Sequence, residues 1–135
     1  MPNSHVDTIN LFFEAYSRRD MEGLKQVMDE QVQWIFPGHH PLAGTKSGID
    51  EVVDFFDAMG KIMSESNVKV EKLITGMNED YVIECQHICT NRKDGNNMDH
   101  HWCVLWSFSN GKIIEGRHFA GDQHVADSFF CKVYK

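Results

Sequence analysis

The segment from His101 to Asp122, HWCVLWSFSNGKIIEGRHFAGD, restricts the possible folds more than any other part of the chain. Trp102, Val104, Trp106 and Phe108 occupy every second position before Asn110-Gly111, and the two-residue side-chain period of a strand sets all four on one face. Asn-Gly between such runs is a hairpin signal, so a second strand is predicted to fold back along the first. In that strand Ile114, Gly116, His118 and Ala120 share one parity, which places the His118 imidazole on a face otherwise built from small or apolar groups. A titratable ring on an aromatic wall points to a binding cavity.

The 135 residues, 41% of them hydrophobic, suit one domain over 1–135, long enough to bury roughly two-thirds of the surface of the unfolded chain. Acidic residues outnumber basic ones by 20 to 13, for a formal charge of −7, and the basic ones are scattered. A nucleic-acid backbone would meet net repulsion, so no nucleic-acid partner is expected. Cys85, Cys89, Cys103 and Cys131 have neither a metal nor a redox spacing, and Cys85 and Cys89 on one strand would stand about 13 Å apart, too far to bridge. No basic segment precedes an apolar run at the start, and no window approaches the ~18 apolar residues of a membrane span, so no membrane partner and a reducing cytoplasmic home are expected.

Along the chain, Val6, Ile9, Phe12, Phe13 and Tyr16 recur at helical spacing after an Asn3 or Ser4 cap, predicting a helix that ends near Arg19. Asp20 is placed to cap a short second helix with Leu24, Val27 and Met28 inward. Gln31 to Phe36 alternates as a strand with Val32, Trp34 and Phe36 on one side, until Pro37-Gly38 stops it. Ser47 and Asp50 resemble a capping box opening a helix through Met63, with Val52, Val53, Phe55, Phe56, Met59 and Ile62 apolar. Three strands are expected over about 67–77, 80–91 and 97–109. In the middle one Tyr81, Ile83, Cys85, His87 and Cys89 are expected inward, and Glu84, Gln86 and Thr90 outward. Residues 122–134 read as a helical turn or two carrying Val125, Phe129 and Phe130. Helices followed by a long antiparallel meander make an α+β layout.

FFEAYSRRDMEGLKQVMDEQVQWIFPG, PLAGTKSGIDEVVDFF and WSFSNGKIIEGRHF resemble the SnoaL-like branch of the nuclear transport factor two-like (NTF2-like) superfamily, over nearly the whole chain. The resemblance implies a cone-shaped fold: a strongly curved, mixed or antiparallel sheet closed by three N-terminal helices around a hydrophobic pocket. It also implies a cofactor-free protein, and it leaves function open, because the superfamily holds isomerases, cyclases, epoxide hydrolases and non-catalytic binders. Compared with the related ketosteroid isomerases, Phe36 stands in place of the aspartate base, Phe12 in place of the tyrosine, Val104 in place of the oxyanion-binding aspartate and His100 in place of a second inward aspartate. That catalytic set is absent. The Asp-Arg-Asp set of limonene epoxide hydrolase-like enzymes is broken as well, since Asp99 and Arg117 fall on the outward parity. The late-strand acid of SnoaL-like cyclases corresponds to Asp122, or to Gly121 in the neighbouring register.

His118 leads the catalytic candidates, as an imidazole whose burial beside Trp102 and Trp106 favours the neutral form that serves as a base; a packed core histidine is the plainer reading. Asp122 is either its acid partner or a helix cap, and His87 is a third candidate. His87, His100 and His118 could approach one another as zinc ligands, but with the register unfixed the reading adopted is no metal. His39 and His40 are expected in solvent. Tyr16, Trp34, Phe36, Phe56, Met59, His100, Trp102 and Trp106 are the expected pocket lining. Ile88, Cys103, Leu105 and Phe119 on the outward parity suggest a homodimer face. The expected function is the binding of a small hydrophobic molecule, with general acid/base isomerase, cyclase or dehydratase chemistry on a carbonyl compound or with no chemistry at all.

Overall fold

In the computed structural model, which describes residues 4–134, the helix cap at Ser4 is the first element the sequence dictates. The Ser4 side chain accepts from the Asp7 backbone while Asp7 reaches back to the Ser4 N–H, and α1 (His5–Ser17) follows with Ile9, Phe12 and Ala15 buried. Arg19 turns the chain through a left-handed φ of 56°. Asp20 then caps α2 (Met21–Val27) by accepting from the Gly23 N–H. Met28, expected as the last inward residue of that helix, is instead the fully buried first residue of a strand.

The strands are β1 (Met28–Phe36), β2 (Gly44–Ser47), β3 (Lys69–Met77), β4 (Tyr81–Cys89), β5 (Asp99–Ser109) and β6 (Lys112–Ala120), in the sheet order β2-β1-β6-β5-β4-β3. All neighbours are antiparallel except β1 and β6. One curved sheet, with α3 (Ile49–Glu65) between β2 and β3 and α4 (Gln123–Val133) after β6, makes the α+β fold that was anticipated. Val32, Trp34 and Phe36 face the core as their alternation requires. So do Trp102, Val104, Trp106 and Phe108.

Four further expectations are corrected. Ser47 does not cap α3: it ends the unforeseen edge strand β2, its N–H donates to Glu51, and Gly48 holds the cap position at φ 88°. Residues 123–133 form a full helix whose buried side chains are Ala126, Phe129 and Phe130. Ile114 leaves the inward parity because a bulge between Ser107 and Phe108 lets β6 gain a residue, so Ile113 is buried and Ile114 exposed.

The fourth correction is the phase of β4. Val82 and Ile88 are fully buried, whereas Tyr81 and Ile83 are exposed. The register pairs Val82 with Trp106, Glu84 with Val104 and Gln86 with Trp102, and directly opposed residues share a face. The inward tryptophans therefore carry the even-numbered residues of β4 inward, overriding the apolar count of the odd ones. Ile88 accordingly leaves the proposed dimer face, while Cys103, Leu105 and Phe119 remain on the outer side of the sheet.

Gly116 fixes how closely β1 and β6 can be covered. It pairs with Trp34, and a Cβ there would stand 2.0 Å from the Trp34 ring. The indole lies flat over bare backbone. Gly116→Ala is expected to lower stability by about 1–3 kcal/mol through forced repacking, read as a lower urea midpoint at unchanged slope. Asp20→Ala, which leaves the Gly23 N–H uncapped, should cost about 1 kcal/mol in the same assay.

Candidate functional site: an aromatic hollow beneath the third helix

Three rows of side chains cross the inner face of the sheet at right angles to its strands. One runs Val82, Trp106, Gly116, Trp34; the next runs Glu84, Val104, His118; the third runs Gln86, Trp102, Ala120. In the middle row small Val104 lies between two larger polar residues, with Trp102 and Trp106 standing on either side of it along β5. The result is a cavity of about 230 Å³ floored by Val104, with Glu84 and His118 at its ends. Two strand spacings put the Cα atoms of Glu84 and His118 about 10 Å apart. Phe55, Phe56 and Met59 from α3 and Phe13 from α1 form the roof.

The polar groups at the Glu84 end are held in place. The indole N–H of Trp106 donates to Glu84 Oε1 at 2.8 Å, and that of Trp102 donates to Gln86 Oε1 at 2.7 Å. Lys72 of β3, which also lines the cavity, brings its Nζ to 3.9 Å from Glu84 Oε2. These bonds satisfy two indole donors and leave Glu84 Oε2 and the Gln86 amide N–H groups available to a ligand.

His118 is different. Trp34, Phe36, Phe55 and Trp102 surround it with ring centroids at 4.8–6.0 Å, and neither ring nitrogen has a partner in the protein. Burial pushes its pKa down to about 3, so the ring is neutral. A neutral imidazole offers one donor and one acceptor, and here both are unused. The indole N–H of Trp34, in ring contact with His118, is likewise buried without a partner.

Of the lining expected from sequence, Trp34, Phe56, Met59, Trp102 and Trp106 are in the cavity wall. Three are not. Tyr16 turns its hydroxyl to donate to Asp57 Oδ1 at 2.7 Å, beside the Arg19–Asp57 ion pair, and burial followed by the Asp57 contact raises its pKa to about 12. Phe36 lies behind His118, wedged among Phe55, His40 and Phe130. His100 is buried beyond Trp102, with its pKa lowered by burial.

Two of the three catalytic candidates are displaced. With β4 in the opposite phase, His87 is on the outer face, bonded to Asp99 at 2.5 Å and stacked on His101, so it cannot join His100 and His118. Asp122 caps α4 by accepting from the Val125 N–H. The His40 imidazole is buried rather than solvated, its Nε2 donating to the Pro37 carbonyl. Glu84, Gln86, Lys72, Phe13, Phe55 and Val104 were missed as lining. For Glu84 and Gln86 a signal existed, since Val82 and Ile88 bracket them at one parity on a strand that must pair with the tryptophan strand.

Among the described residues no three His, Cys, Asp or Glu side chains are arranged to hold a metal ion, and no helix is long and apolar enough to cross a membrane. A larger, more open groove of about 510 Å³ runs over the outer face past Tyr81, Ile83 and Leu105, but it has no buried unpartnered polar atom. The inner hollow joins apolar walls to unused polar atoms of His118 and Trp34; outside it, both ring nitrogens of His100 and Nδ1 of His40 are also buried without a partner.

Comparison with known proteins agrees with this architecture. The uncharacterized protein Rv0034 of Mycobacterium tuberculosis is 26% identical over 130 residues, covering 96% of this chain and 98% of its own. An NTF2-like protein from Burkholderia xenovorans superposes with a TM-score of 0.71 at 23% identity, over 93% of this chain and 95% of the other. A putative SnoaL-like polyketide cyclase from Jannaschia sp. CCS1 superposes with a TM-score of 0.67 at 16% identity, over 95% and 92%. The SnoaL-like domain model matches residues 9–116, and with that span the chain belongs to the SnoaL-like family, built on the NTF2-like fold.

Proposed function

We propose that the hollow binds a small, largely apolar ring compound bearing a carbonyl group and that acid/base chemistry in it converts that compound by isomerisation, cyclisation or dehydration. The observation that carries this reading is the single cross-strand row in which Glu84 and His118 face each other over Val104, inside aromatic walls. The polyketide cyclase shares only the fold at 16% identity, so the reading rests on these residues.

The two ends take different roles. Glu84, oriented by the Trp106 N–H and with Lys72 nearby, is the group that takes and returns a proton beside the carbonyl. His118 does not fit the base role expected from sequence, because a ring whose conjugate acid titrates near 3 holds a proton poorly at neutral pH. It serves instead as a neutral hydrogen-bond donor to the carbonyl oxygen, a role that strengthens as negative charge develops there in a water-poor site. The aromatic walls exclude solvent and hold the ring between the two groups.

A second reading, a binding module without chemistry, is favoured by Phe36, Phe12 and Val104 standing where related isomerases carry functional groups. The two readings separate in deuterium oxide. With a panel of cyclic enones and hydroxyketones, proton NMR is expected to show exchange of the proton beside the carbonyl. Glu84→Gln should slow that exchange 10²–10⁴-fold while ligand affinity changes only a few-fold. Binding without exchange by the wild-type chain would establish the module; equal exchange by wild type and Glu84→Gln would remove Glu84 from the reaction.

The neutral state of His118 also sets a pH dependence of stability. Between the ordinary histidine value of 6.5 and about 3, the unfolded chain binds a proton that the folded chain refuses. Stability is therefore complete above pH 6.5 and falls as pH drops through that window, at up to about 1.4 kcal/mol per pH unit for one proton. His40 and His100, also lowered by burial, act with the same sign. Urea unfolding at pH 7 and pH 5 should show a smaller difference for His118→Gln than for wild type, and identical differences would mean that the ring takes up its proton in the folded state.

A further inference from the structure

On the outer face of the sheet, opposite the hollow, β4 and β5 bring two thiols together. Cys85 and Cys103 are register partners, and Cys103 Sγ donates to Cys85 Sγ across 2.9 Å. Both are half-buried. Their place in the ladder follows from its ends. The Phe108 N–H donates to the Asp80 carbonyl and the Thr90 N–H to the Met98 carbonyl. Those pairs continue the same register, and in an antiparallel ladder hydrogen-bonded pairs alternate with non-hydrogen-bonded ones. Even-numbered positions of β4 are thus the hydrogen-bonded pairs, and Cys85–Cys103 is a non-hydrogen-bonded pair, in which Cα atoms stand about 4.5 Å apart. That lies within the range of about 4.4–6.8 Å that a disulfide spans, so the sulfurs can join without moving the backbone.

The other two cysteines have no such neighbour. Cys89 faces Asp99 across the ladder, and Cys131 on α4 lies beside the His39 carbonyl. We infer that Cys85 and Cys103 form an oxidisable dithiol, a modification site that a hydroperoxide converts to an intrachain disulfide. One of the two sulfurs attacks the peroxide O–O bond, giving a sulfenic acid and one water. The other sulfur then displaces that hydroxyl, forming the S–S bond and releasing a second water. In sum, two thiols and one hydrogen peroxide give one disulfide and two waters.

Burial, followed by the contact with Cys85, raises the Cys103 thiol to about 11. Because the two sulfurs touch, whichever is oxidised first has the other in place to close the bond. The cross-link would lie one residue along each strand from Glu84 and Val104, on the opposite face, and would tie the strand carrying Glu84 and Gln86 to the strand carrying Trp102 and Trp106 without entering the hollow.

The test treats the full chain with stoichiometric hydrogen peroxide, alkylates the remaining thiols and maps peptides without reduction. The expected product is lighter by two hydrogens, joins the Cys85 peptide to the Cys103 peptide, reverts with dithiothreitol, and still carries alkylated Cys89 and Cys131. Either single variant, Cys103→Ser or Cys85→Ser, should stop at a sulfenic acid on the remaining sulfur, trapped by dimedone, and give no linked peptide. The Cys89→Ser/Cys131→Ser double variant, which leaves the outer pair intact, should close as the wild type does. Full alkylation of both Cys85 and Cys103 after peroxide, in the wild type and in this double variant, would overturn the inference.

Discussion

The interaction on which the rest depends is the pairing of β4 with β5, because it decides which side chains meet on each face of the sheet. Trp102 and Trp106 must be inside, and the register makes Gln86 and Glu84 their opposite neighbours. A carboxylate pressed against an aromatic wall would be costly if left unpaired. Here each indole N–H finds a part-buried acceptor on the adjoining strand, so Glu84 Oε1 and Gln86 Oε1 enter the wall already paired. The same pairing that closes the core also supplies the polar edge of the hollow.

The hollow stays open because large and small residues alternate along the strands. Gly116 allows the Trp34 indole to lie directly on the backbone, and Val104 leaves depth between the tryptophans of β5. The roof comes from α3, which crosses above with Phe55, Phe56 and Met59. Replacing Val104 by a larger residue would fill the same volume with protein, as close-packed interiors normally do. Space for a ligand is thus a property of a few short side chains framed by long ones.

His118 shows how burial changes what a titratable group can do. The same apolar shell that keeps the ring neutral also removes every protein partner from its nitrogens, leaving one donor and one acceptor unused. At the other end of the row Glu84 sits at the edge between aromatic wall and solvent, held by the Trp106 N–H and with Lys72 nearby. The two ends of the row therefore differ in environment, one apolar and one polar.

Local rules written in the sequence by itself determined the helix cap at Asp20, a first cap at Asn3 or Ser4, the alternation of Val32, Trp34 and Phe36, and the tryptophan face of β5 with its Asn-Gly turn, because each depends on residues within a few positions of one another. From these the fold class and half of the cavity wall were legible, including His118. Only the tertiary structure decided the phase of β4, since its sequence is apolar at both parities and the choice belongs to its partner strand. With that phase came the entry of Glu84 and Gln86 into the hollow, the removal of His87 to the outside and the meeting of Cys85 with Cys103. The bulge that exposes Ile114 and the edge strand that takes Ser47 from its helix are likewise set by pairing across the sheet, where a residue's place depends on chain distant in sequence and on register that no local pattern encodes.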